Sequence, residues 1–483
     1  MTNDALVREN AELRRQLAER DALIEQLRAE VTALREQVAA LKEALAKSSR
    51  NSSKPPSTDG PAAPVRKRKR ATGRKPGGQP GHERHERELV PIDKVNKVVE
   101  CIPGCCEQCG KGLHGKDPTP ERHQVTELPK VEPVTDEYRL HSLACSCGHT
   151  TRGKLPAGVP TGAFGPSVVA TVAVLMGVYR LGKRLVPQML QDLFGLSMST
   201  GAVIGCQQIA SEAMAPAVQE AAEFVRAEPV KHADETSWRE GARRTRAWLW
   251  TVVTAHVTVF CIQARRNATV ARELLGGVCG VLVSDRFSAY LWWPDCRHQF
   301  CWAHLKRDVT AISERGGESE RIGKAMLEEI ERLFAWWHRV RDGTMARSTF
   351  RVYMRAVQRR FEALLAQGAT LPACKTSRTC KKILRHADAL WTFVYIEGVE
   401  PTNNTAERAV RHGVILRNIS GGTHCQEGSR FVERILTVHA TLRQQHRPIL
   451  DFLRDTCRAA LLRTPGPSLL PSTAVNHQSR AAA

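Results

Sequence analysis

Three acidic residues occupy positions that suit metal-dependent chemistry. Asp234 closes the run of residues 230–234, and Asp285 directly follows the apolar residues 281–284. Glu407 lies where the sequence predicts the start of a helix. Carboxylates at the ends of buried strands, with one on a helix, can hold two divalent ions about 3.5–4 Å apart, which stabilise the attacking and leaving oxygens of an in-line phosphoryl displacement. Because Mg²⁺ prefers oxygen ligands, a few carboxylates suffice, and the pattern predicts chemistry on a nucleic-acid backbone.

Each of these acids also has a purely structural interpretation. Asp285 could cap the helix that follows, since Asp accepts hydrogen bonds from free backbone N–H groups. Glu407 could belong to a capping box that begins at Asn404. Asp234 could be a turn residue after a strand. Taken singly, these structural roles are the better interpretation, and only the sequence around all three acids favours a shared site.

That surrounding sequence resembles the DDE transposases of the insertion-sequence-66 family. The resemblance covers most of the chain, from residue 1 to about residue 455, with its motifs in the family's order. Agreement of several motifs in order is far more specific than any one of them. The motifs are residues 51–57, 73–82, 232–238, 284–290, 301–308, 401–411 and 428–434.

The resemblance implies a ribonuclease H-like α/β core in which Asp234 and Asp285 lie on neighbouring central strands. It also implies that Asp234, Asp285 and Glu407 bind Mg²⁺ (or Mn²⁺) and catalyse cleavage and strand transfer of double-stranded DNA. The DNA would comprise the element's ends and a target, and accessory proteins of the same element are further expected partners. Two other functions remain open on the residues alone: a non-catalytic coiled-coil DNA-binding protein, and a ribonuclease H-like nuclease without strand transfer.

The predicted fold is multidomain α+β, and its catalytic core is divided in sequence. Residues 229–317 form the first part, and residues 401–462 form the last part with Glu407. Residues 318–400 are predicted to be a helical insertion, because apolar residues recur there at helical spacing. A separate domain carrying an unrelated Glu is the alternative. The tail, residues 463–483, is rich in Pro, Ser and Ala and is predicted to be disordered.

The first part of the core reads mainly as strands. Their content of β-branched and aromatic residues predicts strands at residues 230–234, 247–255 and 257–264. A helix is expected near residues 269–275 and a further strand at residues 281–284. Both aspartates are therefore expected at strand ends.

The charge of the chain favours a nucleic-acid partner. Lys and Arg number 71 against 50 Asp and Glu, which gives a formal net charge of +21. A basic excess of this size attracts polyanions and makes binding salt-dependent. Residues 49–90 are predicted to be a flexible linker with a basic arm, for which a solvated charge run is the alternative. The expected DNA contacts of this arm are Arg66, Lys67, Arg68, Lys69, Arg70, Arg74 and Lys75.

The location of the protein follows from what the sequence lacks. No basic and apolar segments of a secretory signal begin the chain. The apolar residues 163–179 are interrupted by Gly165, Pro166 and Gly177, so they predict a buried helix rather than a membrane span. We therefore expect a bacterial cytoplasmic protein associated with the nucleoid and no membrane partner.

Residues 1–48 carry a heptad repeat. Leu13 and Leu27 recur at one apolar position, while Ile24 and Asn10 occupy the other. β-branched residues at a with Leu at d favour a parallel two-stranded coil, and a single Asn at a fixes the register. The sequence thus predicts a homo-oligomer formed through a coiled coil. A long amphipathic helix packed on its own chain is the weaker interpretation.

Cysteines in residues 91–158 are spaced like metal ligands. Among the fifteen cysteines of the chain, two close pairs flank residues 110–144, which suits a tetrahedral structural Zn²⁺. The family resemblance also implies a small zinc-binding domain here. The second pair is Cys-x-Cys rather than Cys-x-x-Cys, so Cys101, Cys105 or His149 could substitute, and unligated cysteines are the alternative. The favoured ligands are Cys106, Cys109, Cys145 and Cys147.

Residues 159–228 are predicted to be helical and to contact DNA. Residues 187–194 and 200–214 read as helices, and residues 195–199 between them read as a Gly-containing turn. This order suits a helix-turn-helix, whose second helix would enter the major groove. Any αα-hairpin gives the same pattern, and both interpretations stay open.

Three residues near the acids are further candidates for DNA contact. His304 and Lys306 belong to the motif at residues 301–308, and Arg411 shares a helix face with Glu407. Arg411 could instead pair with Glu407 across one helical turn. By composition, Cys301 and His304 could form a second zinc site with Cys296 and His298. We favour a buried Cys301 on a strand and a His304 near the acids or the DNA.

Overall fold

The computed structural model describes residues 3–45, 51 and 87–471. The basic arm with Arg66, Lys67, Arg68, Lys69, Arg70, Arg74 and Lys75 lies outside the described residues, and so do the motif at residues 73–82 and residues 52–57 of the first one. The chain divides into two compact units. The smaller unit comprises Pro64–Thr135 with Leu193–Gly195, and the larger one comprises Met1–Ala63, Asp136–Asp192 and Leu196–Ala483.

The described part of the smaller unit has little regular structure. A 3₁₀ helix spans Ile92–Lys94, and an isolated bridge joins Cys105 to Gly112. None of residues 87–135 is buried. Small modules that cannot bury a core usually need a metal, disulfides or a partner to be stable. The segment therefore has the burial expected of a metal-stabilised module.

The apolar heptad positions of the first helix are exposed. Helix α1 spans Asn3–Leu45, and Leu13, Leu27 and Leu34 on it are 51%, 50% and 57% exposed. A stripe of this kind is available to a second helix, as the heptad repeat predicts. The homomeric coiled coil itself stays a prediction.

A β-hairpin and three helices precede the main sheet. Strands β1 (Ser142–Ala144) and β2 (Thr150–Arg152) pair antiparallel. Helices α2 (Pro166–Gly177), α3 (Leu185–Phe194) and α4 (Thr200–Ala227) follow. The buried faces of α2 and α4 pack on each other, which confirms the buried helix expected near α2. Within the described residues, none of the helices has the length and apolar content that a membrane span requires.

The helix-turn-helix order is present, but its second helix is much longer than expected. Ser199 caps α4 by accepting a hydrogen bond from Ala202 N at 3.1 Å. The helix then continues to Ala227 rather than ending near residue 214. It is long because its buried face, including Val203 and Ala210, packs along its length inside the larger unit. Entry of α4 into a DNA groove stays a prediction.

A mixed five-stranded sheet forms the centre of the larger unit. Its strands are β3 (Val230–Glu240), β4 (Thr245–Val253), β5 (Thr258–Gln263), β6 (Val281–Ser284) and β7 (His298–Phe300). Their order is β5-β4-β3-β6-β7, with β3, β4 and β5 antiparallel and with β6 and β7 parallel to β3. The strand expected at residues 230–234 is longer than predicted, because its far half pairs with β4 as a hairpin.

Helices connect the strands and occupy most of the chain between β7 and Glu407. Helix α5 (Ala268–Leu275) joins β5 to β6, and α6 (Trp302–Ser313) follows β7. Side chains of the next helices pack with β6, β7 and α6 in one core that includes Trp302, Met326 and Phe361. Glu407 is distant in sequence from Asp285 because these helices intervene. They are α7 (Gly317–Arg341), α8 (Arg347–Thr370), α9 (Lys375–Leu384) and α10 (Thr392–Tyr395).

Three C-terminal helices complete the larger unit. Helix α11 (Asn404–Ser420) packs on β3 and β4, and α12 (Gln426–Gln444) packs on β5 and α4. Helix α13 (Ile449–Leu462) packs on α2 and α4. Along the β5–α12 seam, side chains of α12 accept from outward N–H groups of β5. The bonds run from Thr258 N to Thr441 Oγ1 at 3.1 Å, from Phe260 N to Thr437 Oγ1 at 3.0 Å, and from Ile262 N to Glu433 Oε1.

Candidate active site

Two of the acids lie where β3 and β6 separate. The parallel pairing of these strands ends at the His232–Val283 pair. Asp285 follows β6 directly, as predicted. Asp234 is two residues beyond the last parallel pair but inside β3, opposite Thr251 of β4, so its expected position at a strand tip was wrong. Both carboxylates nevertheless lie at the point where the two neighbouring strands stop pairing.

Asn403 fixes the start of α11 against β3. Its Nδ2 donates to Ala233 O at 2.8 Å, and its Oδ1 lies 3.2 Å from His232 Nδ1. Asn403 is only 1% exposed, so these bonds are shielded from water. Burial lowers the pKa of His232 to about 4, which keeps its imidazole neutral. Asn403 was not predicted from the sequence, since nothing in a helix-start pattern indicates that its side chain binds a distant strand.

Glu407 lies in the first turn of α11. The capping box from Asn404 was wrong, because Asn404 is the first residue of the helix and Asn403 is its N-cap. The backbone N–H of Glu407 donates to Asn403 O at 3.1 Å, as in an ordinary helix. The Glu407 carboxylate is therefore not used to cap its own helix. Its Oε1 is buried and has no hydrogen-bond partner among the described residues.

His304 lies between two of the acids. Its Nε2 is 3.3 Å from Glu407 Oε1, without hydrogen-bond alignment, and its Nδ1 is 4.0 Å from Asp285 Oδ2. The expected placement of His304 near the acids is therefore confirmed. Cys301, three residues earlier, is buried as expected, but it is the N-cap of α6 rather than a strand residue. Burial raises the pKa of the Cys301 thiol to about 12.

The carboxylates repel one another electrostatically. Burial, followed by the negative charges of Glu235, Asp285 and Glu407, raises the pKa of Asp234 well above its usual range. Burial also raises the pKa of Asp285. A cluster of desolvated acids is stabilised when a cation is placed among them. The arrangement thus has the electrostatics of a cation-binding site.

Glu235, next to Asp234, is held differently. It accepts from Arg266 Nε at 2.9 Å, and it also accepts from the hydroxyl of the buried Tyr290. The Arg266 guanidinium stacks 3.8 Å from the centre of the Phe287 ring. Glu235 is thus satisfied by protein groups and braces β3 against the segment after Asp285. Sequence reasoning missed this network, because its members are separated along the chain.

The other residues considered near the acids are exposed or bind other partners. Lys306 on α6 and Arg411 on α11 are exposed. Within the described residues, Arg411 forms no ion pair with Glu407, so the pairing considered from the sequence is absent. His298 is fully buried, and its Nε2 lies 2.8 Å from Ser284 Oγ. Cys296 is exposed, so this pair does not assemble with Cys301 as composition alone suggested.

The predicted zinc ligands occur as two thiol pairs in different compact units. Cys106 and Cys109 lie in a tight turn of the smaller unit, where Gly110 N donates to Cys106 O at 2.9 Å. The backbone N–H of Cys109 lowers the pKa of the Cys106 thiol. Cys145 and Cys147 lie in the turn between β1 and β2 of the larger unit, and the backbone N–H of Cys147 lowers the pKa of Cys145. Both turns therefore favour thiolates, and the four-cysteine ligand set stays a prediction.

Comparison with known proteins identifies the family. The model of a family of unknown function (DUF6444) matches residues 9–88. No curated protein matches the chain. The model described as the IS66 family of transposases matches residues 161–430, more than half of the chain, and this range includes the segments that bear all three acids. The chain therefore belongs to the IS66 transposase family.

Proposed function

We propose that this transposase cleaves DNA at the ends of its insertion sequence and joins those ends to target DNA. Asp234, Asp285 and Glu407 would be the catalytic residues and would hold Mg²⁺ or Mn²⁺. The observation that carries the proposal is the shared location of these carboxylates at the separation of β3 and β6, with mutual repulsion and His304 between two of them. We further propose that the mixed sheet is a ribonuclease H-like core.

The donor set fits a hard divalent ion. Backbone N–H groups orient both aspartates: Glu235 N donates to Asp234 Oδ1, and Phe287 N donates to Asp285 Oδ1, each at 2.9 Å. Each aspartate keeps a second oxygen for a ligand, and Glu407 adds a buried oxygen without a partner. When bound, Mg²⁺ would supply charge stabilisation to the oxygens that enter and leave phosphorus.

Two phosphoryl transfers make up the proposed reaction. In the first, a water oxygen bonds to the scissile phosphorus and the P–O3′ bond breaks, which frees a 3′-OH. In the second, that 3′-OH bonds to a target phosphorus, and a target P–O3′ bond breaks. Arg307 acts electrostatically on Asp285 and would bind a phosphate of the incoming DNA, because Arg266 and Arg286 are paired with Glu235 and Asp308.

The test compares DNA binding with catalysis. Asp285→Asn and Glu407→Gln keep side-chain size but remove the charge that would hold Mg²⁺. We expect both variants to bind element-end DNA with near-normal affinity in a gel-shift assay and to lose cleavage and strand transfer. The exposed Glu427 on α12 provides a control, and Glu427→Gln should stay active. Undiminished activity of Asp285→Asn would contradict the assignment, whereas cleavage without joining by the wild type would favour a nuclease.

We also propose a structural Zn²⁺ bound by Cys106, Cys109, Cys145 and Cys147. The lack of buried residues in 87–135 and the thiol-favouring turns support it. In this case Zn²⁺ would supply folding free energy, not chemistry. Zinc content of the purified protein tests it: a Cys109→Ser, Cys147→Ser double variant should lose this ion. Undiminished zinc content in that variant would exclude the ligand set.

Assembly on DNA is proposed to use the N-terminal part of the chain. The half-exposed leucines of α1 support a homomeric coiled coil. The basic residues from Arg66 to Arg70, with Arg74 and Lys75, would contact phosphates, and the element's accessory proteins would be further partners. Light scattering of wild type and a Leu27→Lys, Leu34→Lys variant tests the coil, because charged d positions should dissociate it. An unchanged mass would contradict the coil.

A further inference from the structure

A second group of potential metal ligands overlaps the proposed catalytic site. Cys301 Sγ, a ring nitrogen of His304 and a carboxylate oxygen of Glu407 all lie within 4.8 Å of one another. Among the residues that the structure describes, no other group of three or more Cys, His, Asp or Glu side chains brings its ligand atoms so close together. It differs from the acids around Asp234, because it combines sulfur, nitrogen and oxygen donors.

Two helix starts build this cluster. Cys301 is the N-cap of α6 and His304 lies in its first turn, so a spacing of three residues places both side chains on one side of the helix. Glu407 comes from the first turn of α11. The backbone N–H of Asn403, the N-cap of α11, approaches Cys301 Sγ at 3.2 Å. The same bond therefore joins the two helix starts and fixes the position of the sulfur beside His304 and Glu407.

The surroundings of Glu407 also favour a cation at this cluster. Glu407 Oε1 is buried and lacks a hydrogen-bond partner among the described residues, although His304 Nε2 is only 3.3 Å away. Buried polar atoms without partners are rare, and each one calls for an explanation such as an ion. A cation held by Glu407 and His304 together would satisfy both groups.

The donor types select the class of ion. A Cys, His and Glu set suits Zn²⁺ and related thiophilic ions, with an open fourth position, whereas Mg²⁺ disfavours sulfur and nitrogen. We propose that Cys301, His304 and Glu407 bind Zn²⁺ and that this binding inhibits the transposase. The thiol proton passes to solvent on binding. Inhibition rests on the proposed function, because Glu407 cannot hold Zn²⁺ in this way and also serve the Mg²⁺-dependent reaction.

Metal binding is tested first, without any activity. Purified full-length protein, stripped of metal, is titrated with Co²⁺, which reports thiolate ligation through its sulfur-to-metal absorption. Because the proposed N-terminal zinc site would also take Co²⁺, the comparison is between variants. Wild type and the exposed-cysteine control Cys296→Ser should bind one more Co²⁺ per chain than Cys301→Ser and His304→Asn. In Cys301→Ser the serine hydroxyl can still accept from Asn403 N, so this variant should keep its fold. Equal Co²⁺ content in all four proteins would overturn the site.

Inhibition is tested second, as the ratio of the cleavage rates of each protein with and without Zn²⁺. Cleavage of element-end DNA is measured in Mg²⁺ with and without Zn²⁺ at ten times its dissociation constant. Occupancy at that concentration should slow the wild type and Cys296→Ser about tenfold, and Cys301→Ser much less. Equal slowing of Cys301→Ser and wild type, or a Zn²⁺-loaded wild type that cleaves normally, would overturn the inhibitory role. If the catalytic proposal fails instead, Asp285→Asn stays active while the Co²⁺ difference persists.

Discussion

Helices pack against the sheet along two seams. Buried polar groups find hydrogen-bond partners at one seam, whereas a buried oxygen at the other has none among the described residues. At the β5–α12 seam, the outward N–H groups of β5 find acceptors on α12 at four-residue spacing, ending with Thr437 and Thr441. At the catalytic seam, where α6 and α11 begin beside β3 and β6, carboxylates face one another and Glu407 Oε1 has no partner. The polar groups of the first seam are satisfied by the protein itself, whereas those of the second would be satisfied by the proposed cation.

The difference teaches how one sheet can combine stability with a reactive site. Unpaired strand edges invite pairing with other chains, so an edge satisfied by α12 removes that hazard. Desolvated like charges reduce stability, and natural proteins tolerate this mainly where function requires it. The hydrogen bonds of Asn403 and the Glu235–Arg266–Tyr290 network supply rigidity next to the repelling acids. The two seams therefore predict opposite responses to substitution.

The largest expected effect comes from Asp234→Asn at the catalytic seam. Removing this charge should lower strand transfer by more than about 10³-fold, as loss of a residue essential to a catalytic unit does. The same change should raise the free energy of unfolding at neutral pH, because burial and its acidic neighbours disfavour the Asp234 carboxylate. Strand-transfer rates and denaturant unfolding measure the two effects. A variant that is inactive and also less stable would contradict the electrostatic account.

The next largest expected effect concerns Glu433, whose carboxyl should make the free energy of unfolding depend on pH. Burial raises its pKa from 4.5 to about 7 and outweighs the hydrogen bond from Ile262 N and the charge of Arg430. Between those pH values the native protein holds a proton that the unfolded chain has released, so stability decreases as pH rises through the window. A shift of this size corresponds to on the order of 3 kcal/mol.

Glu433→Gln should remove that part of the pH dependence while keeping an acceptor for Ile262 N. We expect the variant to equal the wild type near pH 4 and to be more stable at pH 8. Urea unfolding across this range measures it, with Asp234→Asn as a comparison at the other seam. Parallel stability curves for wild type and Glu433→Gln would show that the Glu433 carboxyl has the same pKa in the folded and the unfolded chain.

Thr441→Val should weaken the β5–α12 seam without touching the acids. The hydroxyl accepts from Thr258 N at 3.1 Å and donates to Thr258 O at 3.0 Å, so valine leaves two buried groups unsatisfied. The expected loss is about 2 kcal/mol of unfolding free energy. Thr441→Ser keeps the hydroxyl and should lose much less. If Thr441→Val unfolds like the wild type while Thr441→Ser is destabilised, the methyl group rather than the hydrogen bonds stabilises this seam.

The sequence predicted the strands well where one type of residue dominated them. The continuous apolar run of residues 281–284 gave β6 with its bounds. β3 was predicted too short, because residues 235–240 are polar apart from Trp238 and are stabilised by pairing with β4. The β5–α12 seam was not predicted at all. Thr437 and Thr441 read as polar positions of a helix, and their partners are distant in the chain.

The candidate site was predicted only in part, because some of its residues depend on partners that are distant in the chain. The motifs around Asp234, Asp285 and Glu407 indicated the acids, and the structure brings their segments together. Asn403 and Glu235 were missed, since their roles depend on partners from other elements. Sequence patterns thus indicated the acids that are proposed to be catalytic, whereas the residues that position them became evident only from three-dimensional contacts.

The smallest expected effect tests whether the catalytic seam faces DNA. Arg411 is exposed on α11, the helix of Glu407, and Arg443 is exposed near the end of α12. If Arg411 contacts a phosphate, Arg411→Gln should lower affinity for element-end DNA and reduce the slope of log affinity against log salt by about one. Arg443→Gln removes an equal charge away from the acids and should leave that slope unchanged. Because both side chains are exposed, unfolding free energies should stay within about 0.5 kcal/mol of wild type. Fluorescence anisotropy over a range of salt concentrations measures the slopes, and equal slopes for the two variants would show that net charge, not the position of Arg411, governs binding.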